Sequence, residues 1–129
     1  MNVRPVKIPR GSYVHEYIRS IVKSSRLRGG FIFGIGALAK AEIGVYTGKE
    51  YVVERIEAPE NRVIEVAPMM GNYVVYNGRV SVHIHATLSL GDGRVYSGHL
   101  VKGLVNPFIE ALVIEVGDLT SIFGHRVKS

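Results

Sequence analysis

Residues 79–90 read Arg79-Val80-Ser81-Val82-His83-Ile84-His85-Ala86-Thr87-Leu88-Ser89-Leu90, and Gly91-Asp92-Gly93 follows. The alternation is strict. Val80, Val82, Ile84, Ala86, Leu88 and Leu90 fall on one side, while Arg79, Ser81, His83, His85, Thr87 and Ser89 fall on the other. A period of two is that of a half-buried strand, so both histidines lie on its polar face.

The turn sets where the next strand runs. If Gly91, Asp92 and Gly93 form a three-residue loop with a glycine in the left-handed position, Leu90 pairs with Arg94 and His85 stands opposite His99. A two-residue turn at Asp92-Gly93 would send His99 to the apolar side, against Ala86, and a bulge at Gly98 would also change the register. The three-residue loop unites the polar residues and is the preferred reading. It gathers His83, His85 and His99 on one face, enough for three legs of a tetrahedral metal site with a fourth position open. The competing reading is three ordinary polar-face histidines, bonded to Ser81, Thr87 or water.

Outward from this hairpin the chain is strand-rich. Strands are expected at Phe31 to Ile35, Ala41 to Tyr46, Tyr51 to Ile56, Val63 to Val66, Tyr73 to Tyr76, Val95 to Val101 and Ile109 to Val116. Asn77-Gly78 is a strong hairpin signal. Asn106-Pro107 is expected to break the chain. Residues 1–11 read as an extended arm or edge strand, because Pro5 and Pro9 discourage helix. One main helix is predicted over residues 12–28. Ser12 is its cap, Val14, Ile18, Ile21 and Val22 form its apolar stripe, and Gly29-Gly30 is its stop. A short helix is expected near Lys102 to Phe108 or in the tail after Gly117. The sum is an α+β domain with a largely antiparallel sheet.

Composition fits a single domain, residues 1–129, with 47% hydrophobic residues. Cysteine is absent, which excludes disulfides and thiolate metal sites and suits a cytoplasmic setting. The first residues lack the apolar core of a signal peptide, and the apolar stretch from Phe31 to Ala39 is too short to span a bilayer. The net charge of +5 leaves contact with nucleic acid open, although the basic residues near the N-terminus also read as a solvated surface. Gly34-x-Gly36-x-x-Ala39 imitates a dinucleotide fingerprint without the following helix, so it reads as close strand packing or a bulge. His15 and His125 are isolated in sequence. Glu65 and Glu110 are candidate acid–base partners if the fold brings them to the histidines.

Several segments together resemble the PPC domain, the plants-and-prokaryotes conserved domain found beside AT-hooks in plant nuclear proteins. These are Gly78 to Ala86, Gly91-Asp92-Gly93 and Ser97-Gly98-His99-Leu100. Gly34-Ile35-Gly36-Ala37-Leu38, Glu65 to Asn72 and Ile109-Glu110 fit as well. The resemblance implies a homotrimer in which His83, His85 and His99 bind a divalent transition metal such as zinc. Acetolactate decarboxylase, a three-histidine zinc enzyme, looks similar in fold, which leaves a metal-dependent hydrolase or lyase as an alternative. Ser97 stands where the family commonly has glycine. No Arg-Gly-Arg-Pro core is present, so the AT-hook route to DNA does not transfer, and only a basic surface remains for a DNA-associated role.

Overall fold

Period-two patterning and glycine-marked turns give six strands in the computed structural model, which describes residues 2–128 and the side chains of residues 2–127. The elements are β1 (Asn2–Pro9), α1 (Val14–Ser24), β2 (Gly29–Tyr46), β3 (Tyr51–Glu57), β4 (Ile64–Tyr76), β5 (Arg79–Ser89), β6 (Val95–Glu115), α2 (Thr120–Phe123) and α3 (His125–Lys128). All the pairings are antiparallel, and their order is β1-β6-β5-β4-β2-β3. Because β6 also pairs with β2, the strands β2, β4, β5 and β6 close a ring. The ring's apolar interior includes Ile32, Leu38, Met69, Ile84, Leu88, Leu100 and Ile109, and Val14, Ile18 and Val22 of α1 pack against it.

Three strands run further than the sequence pattern indicates. The strands expected at Val63 to Val66 and Tyr73 to Tyr76 join, from Ile64 onward, in one strand, β4, whose register to β5 shifts between Val66 and Met69, and β2 and β6 are longer still. Phe31 to Ile35 and Ala41 to Tyr46 belong to one strand, β2, with a register shift at Gly34/Gly36 in place of a break. A Cβ at Gly36 would meet the carbonyl oxygen of Phe108, so a glycine bulge lets β6 stay close. The segment from Lys102 to Phe108 is strand, not helix, and Asn106-Pro107 lies inside β6. The ladder to β2 continues on either side of it, because a long strand can bend through irregular register and keep its partner. The tail after Gly117 does become helical.

The main helix is shorter than residues 12–28. It starts after Tyr13, without a side-chain cap. It ends when Arg26 enters the left-handed region at φ 54°. Leu27 N–H then donates to Val22 O (2.9 Å) and Arg26 N–H to Lys23 O (3.2 Å), satisfying carbonyls that the helix leaves open. Leu27 is buried just beyond, which anchors this stop three residues before the glycines.

Candidate metal centre

The β5–β6 hairpin has the register expected of a three-residue loop. Leu90 N–H donates to Arg94 O (3.1 Å), and His85 pairs with His99. Asp92 closes the turn by accepting from Arg94 N–H (3.0 Å) and Arg94 Nε (2.9 Å). These contacts hold the Asp92 carboxyl down at about 2, so the turn keeps its charge in neutral solution.

The alternation of β5 then places His83 beside His85 on the outer face. Ring centroids are 5.1 Å apart for His83–His85, 5.1 Å for His83–His99 and 5.7 Å for His85–His99. One nitrogen from each ring lies within 4.8 Å of the others. Tetrahedral zinc, bonded at about 2.0–2.1 Å, needs these nitrogens roughly 3.3 Å apart, a closure of small side-chain rotations. The donor set fits the ion: three imidazoles, two half-buried and one exposed, that can be neutral at pH 7. Burial, and then the neighbouring Arg126 guanidinium, push His83 down to about 4. Burial, and then His85, also lower His99.

Directly paired residues share a face, so the surroundings follow from the register. Leu112, Phe33, Met70, His85 and His99 form one row across four strands, and Ile114, Phe31, Asn72 and His83 form the next. The histidines therefore border an apolar outer surface in which Phe33 is 39%, Ile35 57%, Met70 50% and Leu112 40% exposed.

The tail closes over the second row, a contact that the sequence did not signal. Phe123 packs edge-on against Phe31, with centroids 6.1 Å apart. Arg126 Nε donates to Ser81 Oγ (3.1 Å), and its Nη1 lies 3.2 Å from His83 Nδ1. A guanidinium only donates, so Nδ1 accepts, and a neutral His83 carries its proton on Nε2. Such a ring has no free lone pair. Ligation through Nδ1 would displace Arg126, and ligation through Nε2 would turn an Nδ1–H toward another donor.

Glu65 and Glu110 are not brought to the histidines. Glu65 pairs with Ser89, four residues along β5 from His85 and so about 13 Å away along the strand. Glu110 pairs with Ile35 at the far end of β6. His15 lies on α1, not in the triad. It is half-buried, its Nδ1 is shielded and unpartnered, and burial and then Arg19 push it down to about 4. His125 is exposed, beside Arg126.

The profile of the Plants and Prokaryotes Conserved (PCC) domain matches residues 1–117. A metal-containing protein from Archaeoglobus fulgidus superposes with a TM-score of 0.80 at 26% identity, covering 92% of this chain and 81% of that one. A plant- and prokaryote-conserved (PPC) protein from Pyrococcus horikoshii does so with a TM-score of 0.79 at 29% identity, covering 92% and 81%. The acetolactate decarboxylase of Bacillus subtilis shares the fold at 13% identity, with a TM-score of 0.62 over 89% of this chain and 53% of that one. No curated protein matches this chain by sequence.

Proposed function

As this chain belongs to the Plants and Prokaryotes Conserved domain family, we propose that it is a homotrimeric metal-binding protein in which His83, His85 and His99 hold a divalent transition metal, zinc by preference. The observation that carries this reading is the meeting of three imidazoles on one sheet face. Three neutral nitrogen donors suit zinc or copper better than magnesium or calcium. A metal held by three protein ligands keeps a position for water or a small molecule, where it can act as a Lewis acid. The similarity to a metal-containing archaeal protein points the same way.

Within one chain neither Glu65 nor Glu110 stands where an acid–base partner would be needed, which favours small-molecule binding or regulation over hydrolase or lyase chemistry carried by a single subunit. The trimer reading draws on the outer apolar surface around Phe33, Ile35, Met70 and Leu112, which is large enough in residue content to want a partner. A cytoplasmic setting is in keeping with the cysteine-free sequence.

Titration with cobalt(II) tests the metal reading. Visible bands of four-coordinate intensity should saturate at one ion per chain and vanish in His85→Ala. Weak, octahedral-type absorption that is the same in both proteins would refute it.

A DNA-associated role is the second reading. The net charge of +5 and the exposed Lys7, Arg10, Lys23, Arg26 and Arg28 favour it. It requires duplex affinity that falls steeply with salt. Salt-insensitive or absent binding would remove it.

A further inference from the structure

Arg126 carries a charge that no described carboxylate answers. Its guanidinium lies over the Phe123 ring, 5.5 Å from the centroid, and reaches Ser81 and His83, both neutral acceptors. Among the described residues no carboxylate forms an ion pair with it. Its Nη2 is shielded from solvent and has no partner. A half-buried guanidinium without a counter-ion is costly, and a planar oxyanion would answer it with two parallel hydrogen bonds.

The surroundings add to this demand. The groups that act most on His83 are Arg126, His99, His85 and His125, all basic, and His15 of α1 is also within electrostatic reach. A divalent ion on three neutral imidazoles would raise the local positive charge further. Ligation by His83 would also end its hydrogen bond from Arg126, leaving Nη1 free while Nε stays on Ser81.

We propose that Arg126 is the anion-recognition residue of the three-histidine site, and that the site takes a small ligand bearing a carboxylate or another oxyanion. The metal reading of the previous section enters only as the event that frees Nη1. The missing counter-ion is seen among the described residues without any metal being invoked. Arg126 lies beyond residues 1–117, which match the family profile.

The test is calorimetric titration of sodium acetate, and separately of inorganic phosphate, into metal-free and zinc-loaded full-length protein. Wild type, Arg126→Gln and Arg126→Lys are compared, with zinc content and thermal unfolding measured on the same samples. Acetate should bind wild type, more tightly with zinc. Compared at matched zinc loading and below the unfolding range of each protein, Arg126→Gln should weaken it roughly ten- to hundredfold, and Arg126→Lys should recover part of the loss. A stronger response to phosphate than to acetate would identify the oxyanion as a phosphate. Equal affinity in Arg126→Gln and wild type, or no binding of either anion in either state, would overturn the proposal. Failure to take up zinc would count against the metal reading alone, and the metal-free titration would then decide on Arg126.

Discussion

The proton on His83 is fixed by one contact. Arg126 donates to Nδ1, so the metal-free ring at pH 7 should be the Nε2–H tautomer. Long-range nitrogen–proton NMR spectra should show this directly, with the pattern changing on zinc addition. An Nδ1–H tautomer in metal-free protein would contradict the contact.

His15 supplies a second prediction at the same scale. Its folded pKa of about 4 lies below the ordinary 6.5, so the unfolded chain takes up a proton more readily. Its contribution to stability is therefore complete above pH 6.5 and is lost as pH falls toward 4, by on the order of 3 kcal/mol. Urea midpoints measured at pH 7.5 and 4.5 should drop less in His15→Leu than in wild type. An identical drop would show that His15 is not the responsible group.

The sequence made the three site histidines legible because period two and one short turn suffice to place them. Arg126 was not legible, because 43 positions separate it from His83 and no local pattern announces the contact.

Among the elements, β5 and its neighbours bear the site, and Gly71 sets how closely β4 approaches. A Cβ there would meet the carbonyl oxygen of His83. Gly71→Ala should therefore cost about 1–3 kcal/mol in chemical denaturation and weaken metal binding with it. Unchanged stability would mean that β4 can shift freely. The Gly71-Asn72 pair in the family-like segment gains a physical reason from this, close strand approach beside a candidate ligand.

A second fixed point is Glu115, which accepts from Tyr73 Oη (2.7 Å) and from the backbone N–H groups of Arg28 (2.9 Å) and Gly29 (3.2 Å). It ties the end of β6 to the start of β2. The hairpin at Gly91-Asp92-Gly93 was readable because local turn chemistry sets its register. The continuity of β2 and β6 was not, since glycines and a proline that usually end strands are here carried by bulges and tertiary pairing.

For the whole molecule, the outer apolar surface and the histidine row are one continuous face. A homotrimer that buries Phe33 and Ile35 should sediment at three times the 14.2 kDa chain mass. Phe33→Asp combined with Ile35→Asp should shift it to monomer. A monomeric wild type, or a double variant that stays trimeric, would remove this face as the interface. The α+β class was readable from strand patterning, whereas ring closure by β6 returning to β2 depends on pairings distant in sequence.

Whether His83, His85 and His99 hold a metal is decided by metal content per chain, measured by plasma mass spectrometry on untagged protein alongside His83→Ala/His85→Ala. Wild-type protein should carry close to one zinc or other transition-metal ion per chain, and the double variant almost none. Wild-type protein that stays metal-free after reconstitution, or a double variant that keeps its metal, would contradict metal binding by these histidines.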